Sequence, residues 1–170
     1  FDMAYQGFAS GCLETDAFAV RHFIEEGHKV VFAQSYSKNM GMYSVRVGGV
    51  TFMNEVKEEK EAILKTLKHL NMCSFGAPPI HGSQVVEEVY SSPALLASWH
   101  DELRMMCTRS LKMRQLLKFK LEEVGSTHDW SHITKQQGMF FYSGLNVDQC
   151  ETLIRDHSVY VVKNGRMAVS

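Results

Sequence analysis

Apolar positions recur along this chain with two periods, and the switches between them mark out its elements. Short runs at residues 29–33 and 47–52, rich in β-branched residues, read as strands. Around them the period lengthens to that of a helix. Ala17, Val20, Phe23 and Ile24 share one face of a helix expected over 16–26, with Thr15 as its cap and Gly27 as its stop. Ile63, Leu64, Leu67 and Leu70 form the buried stripe expected of the next helix, which Asn54 would open with Glu58 and Glu59 in its first turn. Residues 1–8 read as the end of a strand and its outgoing turn. Strand and helix alternating in this way predict an α/β sheet layered with helices.

Phe75-Gly76-Ala77-Pro78-Pro79 must break the helical pattern. A short helix over 81–90 follows, and then Ser92-Pro93 opens a long one. Leu95, Leu96, Trp99, Leu103, Met106 and Leu111 recur at helical spacing, and the pattern runs to Val124 ahead of Gly125. From Ser126 the pattern shortens. Residues 130–134 and 138–142 are expected as strands, 146–156 as a helix with an Asn or Asp cap, and 159–163 with 166–169 as a hairpin around Asn164-Gly165. The second unit is thus α+β, joined to the first by the long helix.

Composition narrows the function classes. A 170-residue chain with 45% hydrophobic residues supports a real core. A net charge of −1 and a pI near 6.8 argue against a chain built to coat nucleic acid or anionic lipid. No apolar run approaches the roughly 20 residues that span a bilayer. Cys12, Cys73, Cys107 and Cys150 show no paired spacing and are expected as reduced thiols, mostly buried. His128 and His132 stand four apart without further ligands nearby, so no metal site is expected. Arg104, Arg109, Lys112, Arg114, Lys118 and Lys120 make the long helix basic, a pattern that partner-binding helices share with solvated faces.

The chemistry gathers between Val30 and Gly48. An apolar strand ends in Gln34-Ser35-Tyr36-Ser37-Lys38-Asn39, read as a polar loop, and Arg46 follows eight residues after the lysine. An amine can form a Schiff base with a carbonyl, while a serine hydroxyl and a fork-shaped guanidinium can hold phosphate oxygens. The grouping suits a carbonyl cofactor that carries a phosphate.

The string Ser35-Tyr36-Ser37-Lys38-Asn39-Met40-Gly41-Met42-Tyr43 with Arg46-Val47-Gly48 resembles the cofactor-lysine segment of the aspartate aminotransferase family, fold type I pyridoxal-phosphate enzymes. Phe1-Asp2-Met3-Ala4-Tyr5-Gln6-Gly7-Phe8 resembles the strand that precedes it in that family, and Asn164-Gly165-Arg166 the segment of its substrate-carboxylate arginine. The resemblance implies an aminotransferase acting on amino acids and 2-oxo acids, with Lys38 holding pyridoxal 5'-phosphate. It implies Asp2 on the pyridine nitrogen, Tyr5 on the ring oxygen, and Ser35, Arg46 and Ser37 on the phosphate. Arg166 would take the substrate's α-carboxylate, and Phe140 would sit near the substrate entrance. It further implies a homodimer with active sites at the interface. A cytoplasmic location is expected, with mitochondrial left open, and neither nucleic acid nor membrane is expected as a partner. Residues 1–104 would be the C-terminal part of the large domain, a mostly parallel mixed sheet with helices on both faces. Residues 105–170 would be an incomplete small domain.

The departures bear on substrate choice. Six residues before the Pro-Pro pair, where aspartate-specific members carry an arginine for the substrate's side-chain carboxylate, this chain has Met72. Gly76-Ala77 replaces the family's Ser-Asn, and Ala168 replaces an asparagine. Lys68, one turn before Met72, is a poor substitute for a planar fork. The substrate is therefore left open between aspartate and a broader range that includes aromatic and other apolar side chains. The family's phosphate loop and closing helix have no counterpart in this stretch, so the chain is expected to be part of a larger polypeptide and inactive alone. Two alternatives remain at this point: a lyase or decarboxylase of the same fold type, and a non-catalytic fragment whose basic helix at 104–120 binds a partner.

Overall fold

A three-stranded sheet carries the first of two compact units. The computed structural model describes all residues, Phe1–Ser170. They divide into one unit of Phe1–Gln6 with Glu14–Trp99 and a second of Gly7–Leu13 with His100–Ser170. In the first, β1 (Asp2–Met3) lies parallel to β2 (Val31–Ser35), with Asp2 opposite Ala33. β2 runs antiparallel to β3 (Gly48–Phe52), from Val31 opposite Phe52 to Ser35 opposite Gly48. The sheet is mixed, as expected. β2 starts two residues later than the apolar run and extends into the polar Gln34 and Ser35. Gly48 permits this, because any Cβ there would collide with the Gln34 carbonyl oxygen.

Several helix boundaries differ from the pattern. Thr15 does not cap the first helix: it lies inside a single turn, α1 (Leu13–Asp16), and α2 (Phe18–Glu25) begins at Ala17 without a side-chain cap. Gly27 does stop α2, at φ +79°, with its N–H on the Ile24 oxygen and the His28 N–H on the Phe23 oxygen. α3 (Tyr36–Asn39) follows β2. α4 (Lys57–Ser74) opens at Val56, not at Asn54, whose Oδ1 instead accepts the Val56 N–H in the preceding turn. Its expected buried stripe is not buried: Ile63 and Leu67 are half-buried, and Leu64 and Leu70 are each more than half exposed. α5 (His81–Ser91) and α6 (Pro93–Glu123) match their expected spans. No helix is long and apolar enough to cross a membrane.

The second unit packs around α6. Leu103 and Cys107 are buried there with Ile133, Phe141 and Cys150. The strand expected at 130–134 is a helix, α7 (Ser131–Lys135). Asp129 decides this, since its carboxylate accepts both the Ser131 N–H (2.8 Å) and the Ser131 hydroxyl (3.0 Å), turning the chain before the β-branched residues can extend. The same two bonds hold the Asp129 carboxyl below the usual carboxylate range. β4 (Phe141–Tyr142) is shorter than expected, and Gly138, at φ +91°, lies in the bend before it. α8 (Val147–His157) is opened by Asn146, which accepts the Gln149 N–H at 2.9 Å while Gln149 returns a bond to the Asn146 N–H. Asn146→Ala removes this capping box and should lower unfolding free energy by about 1 kcal/mol, read as a shift in the urea midpoint.

The hairpin expected at 159–169 does not form. Residues 159–163 make no strand, and β5 (Arg166–Met167) pairs with β4 instead. Asn164-Gly165 still turns the chain: Gly165 donates to the Val162 oxygen, and Asn164 Oδ1 accepts the Arg166 N–H. None of the four cysteines forms a disulfide, but only Cys107 and Cys150 are buried; Cys12 and Cys73 are exposed.

Candidate active site

β2 delivers the chain to Ser35, and Ser35 starts the turn that carries Lys38. Its backbone is extended (φ −127°, ψ 135°), and its Oγ accepts the Ser37 N–H at 3.2 Å. That bond satisfies one of the donors a helix start leaves open. The polar loop read from the sequence is therefore one helical turn. Four residues are too few for a period to register, and the serine cap is the only local signal.

The turn is tied down behind the lysine. Trp99 Nε1 donates to the Asn39 carbonyl oxygen at 2.7 Å in a buried contact. Asn39 Nδ2 donates to the Gln6 oxygen (3.3 Å), and Gln34 Nε2 to Gln6 Oε1 (2.9 Å). Asn39 is 5% exposed and its Oδ1 is buried without a partner. Tyr90 packs between Trp99 and Tyr36, and burial with the Tyr36 phenol beside it holds its hydroxyl well above the ordinary phenol range. Trp99→Phe keeps an aromatic ring but loses the indole N–H, and so strands the Asn39 oxygen. The expected cost is about 1–3 kcal/mol in denaturant unfolding.

Lys38 Nζ lies 5.0 Å from the centre of the Tyr5 ring and 5.9 Å from that of Tyr43. Tyr43 was not anticipated as a neighbour; it lies five residues on, where only the return of the loop could bring it back. Asp2 stands on β1, beside β2, and its Oδ1 accepts the Ala4 N–H at 3.0 Å. Ser37 is 4% exposed. Arg46 adopts φ +59°, a left-handed conformation that costs a non-glycine residue roughly 1–2 kcal/mol. Its Nη1 donates to the Tyr43 oxygen at 3.0 Å, closing the loop that the strain permits. Neither Lys38 nor Arg46 has a carboxylate partner. Two unneutralised cations and a serine hydroxyl on one β2–β3 connection are a donor set that fits a phosphorylated carbonyl compound.

In the second unit the guanidinium of Arg166 lies 4.7 Å from the Phe140 ring centre, so these two expected residues do meet. Met72, on α4 in the first unit, is 68% exposed. The basic run of α6 is not one solvated face. Arg114 is 1% exposed, its Nη1 donates to the Gln136 oxygen at 2.7 Å and its Nη2 to the Gly138 oxygen, and burial pushes its pKa down. Arg104, Lys118 and Lys120 pair with acids on their own helix.

Comparison with known proteins decides the family. The model of the aminotransferase class I and II family matches residues 1–170. The chain belongs to this family. Class I and II aminotransferases depend on pyridoxal phosphate, the cofactor whose aldehyde and phosphate the donor set fits. The mitochondrial aspartate aminotransferase of Xenopus tropicalis is 44% identical over all 170 residues, and that of Gallus gallus 43%. The chain spans about 40% of the length of these curated relatives. Among solved aminotransferases, the aromatic-amino-acid enzyme of Burkholderia pseudomallei, covalently bound to pyridoxal phosphate, superposes with a TM-score of 0.95 at 38% identity. That match covers 98% of this chain and 42% of the other. The mitochondrial aspartate aminotransferase of Trypanosoma brucei superposes at 0.91 with 39% identity, over 98% and 44% of the two chains. The α/β fold expected from the sequence is thus that of pyridoxal-phosphate aminotransferases, of whose large domain this chain holds a part.

Proposed function

We propose that the protein moves an amino group between an L-amino acid and a 2-oxo acid such as 2-oxoglutarate, with pyridoxal phosphate attached to Lys38. When bound, the cofactor supplies an electron sink for the bond broken at the substrate's α-carbon. The side chains do the rest. The Lys38 amine would hold the cofactor and, once released by a substrate amine, would serve as the base for the α-carbon proton. Asp2 would stabilise a proton on the ring nitrogen, and Tyr5 would donate to the ring oxygen. Ser35 and Arg46, with Ser37, would hold the phosphate. Arg166 pairs with the substrate's α-carboxylate beside Phe140.

One observation carries this reading: Lys38 is a half-buried amine on a helical turn tied to Trp99, facing Tyr5 and Tyr43, with no acid to neutralise it. The family supports the activity. Met72 supports a substrate range wider than aspartate, since a thioether cannot pair with an anion, and the similar proteins include both aspartate and aromatic-amino-acid enzymes. The residue division 1–104 and 105–170 into large and small domains, a homodimer with shared active sites and a cytoplasmic location belong to the same proposal. The mitochondrial names of the relatives weigh against the last, and cell fractionation decides it. The activity is tested by reducing the cofactor-loaded protein with borohydride and mapping the modified peptide, then following absorbance with aspartate, methionine and phenylalanine. Label on Lys38 with a response to amino acids is expected. Label on another lysine, or no response to any of them, overturns the reading.

A further inference from the structure

Arg166 ends a line of braces that lies wholly in the second unit. β4 and β5 are two residues each, too short to be stable as a lone ladder. Tyr142 stands opposite Arg166 in that ladder. Its backbone N–H and C=O turn away from β5 and meet the Gln136 carboxamide instead. Gln136 Oε1 accepts the Tyr142 N–H at 2.7 Å, and Nε2 donates to the Tyr142 oxygen at 3.0 Å and to the His132 oxygen at 3.1 Å. A single side chain does for the outer edge of β4 what a third strand would do. Gln136 is itself fixed, because the buried Arg114 guanidinium holds its carbonyl and that of Gly138 while lying 5.5 Å from the Phe141 ring centre. On the other edge, the Ser143 N–H and hydroxyl both bind the Gly165 oxygen, at 2.9 and 2.8 Å.

We propose that Gln136, held by Arg114, is a positioning residue for Arg166: its carboxamide stands in for a missing strand beside Tyr142 and so fixes the guanidinium that receives a substrate carboxylate. This rests on the carboxylate reading of Arg166. Gln136 touches no substrate in this scheme. It acts through Tyr142, so its loss weakens carboxylate binding without loosening the cofactor at Lys38. A hydrogen-bonding amide, rather than mere bulk, is what the position requires.

The test uses the holoenzyme and the cofactor-free protein with 3-phenylpropionate, a monocarboxylate with no amine, and measures its affinity by calorimetry. Arg166→Leu should lower affinity by roughly 10²-fold, as loss of a charged hydrogen-bonded partner does. Gln136→Leu should lower it by about tenfold, a displacement effect, and add nothing in the Arg166→Leu background. KM for an amino acid should rise about as much, while reaction with the corresponding amine lacking a carboxylate stays unchanged. If Gln136→Leu does not fold, Gln136→Glu keeps the acceptor for the Tyr142 N–H, loses the donors and should still weaken the probe about threefold. Wild-type affinity in whichever Gln136 variant folds, or an equal loss in the Arg166→Leu background, overturns the brace alone. Unchanged affinity in Arg166→Leu, or no binding of the probe by the wild type, removes the carboxylate reading and the brace with it.

Discussion

Lys38→Ala should abolish turnover while leaving the protein folded, and that combination makes it the sharpest test of the site. The substitution removes the amine that would attach the cofactor and move the α-proton, two roles that no neighbouring group can take over. Loss of a nucleophile and a general base together should lower kcat by at least about 10⁴-fold. The fold should barely register the change. Lys38 makes no ion pair, and its contacts with the Tyr5 and Tyr43 rings, at 5.0 and 5.9 Å, are worth roughly 0.5–1 kcal/mol each. Alanine is a better helix former than lysine, and the turn keeps its Ser35 cap and its tie from Trp99 to Asn39. Turnover and thermal midpoint, measured together on the holoenzyme, read this directly. Lys38→Arg is the companion variant: it keeps the charge and the stacking but offers no amine to a carbonyl, so it should be as inactive as alanine. Retention of more than a tenth of wild-type turnover in either variant would take Lys38 out of its role.

What the sequence revealed and what it hid follow from the range of the forces involved. The family was legible because the segment from Ser35 to Gly48 that carries the resemblance is contiguous, and the serine cap that shapes the turn at Lys38 is local too. α6 and the Asn146 cap were legible for the same reason, as local periodicity and local hydrogen bonding. The hairpin at 159–169 failed differently. Asn164-Gly165 does turn the chain, but the partner of β5 is Tyr142, more than twenty residues away, and no flank of the turn announces it. The strand expected at 130–134 lost to the Asp129–Ser131 bonds, a side-chain effect that outweighs the β preference of Ile133 and Thr134. The stripe on α4 was read correctly as apolar and wrongly as buried, since periodicity marks a face without naming what covers it. Arg114 is buried where its charge predicts exposure. It lies on the spacing 103, 107, 110, 114, 117, 121, so Leu103 and Cys107 already marked its face as the inner one. Charge alone placed it outside.

The second large effect concerns stability, and its sign has to be argued. Arg114→Met fills a similar volume and removes both a buried cation and the Nε that has no partner in the wild type. Those changes favour the variant. Against them stand the Gln136 and Gly138 carbonyls, each of which would lose its charge-assisted donor inside a packed unit. A stranded buried acceptor costs about 1–3 kcal/mol, and the cation's contact with Phe141 goes as well. Two stranded acceptors outweigh one relieved donor, so a net loss of roughly 2–4 kcal/mol is expected in urea unfolding. Arg114→Lys should do no better: it keeps the charge to be buried while a single ammonium cannot span two carbonyls as the guanidinium fork does. Burial lowers the Arg114 pKa, so the penalty on its charged form would lift only as pH rises towards the arginine range. Between about pH 6 and 9 the guanidinium stays charged in the folded and unfolded protein alike, and the difference from wild type should be flat. Amide hydrogen exchange at Tyr142 and Arg166 supplies the local readout, with both expected to open faster in Arg114→Met. A variant as stable as the wild type, with those two amides equally protected, would mean that the turn at 136–138 and the strand after it hold their own geometry without the arginine.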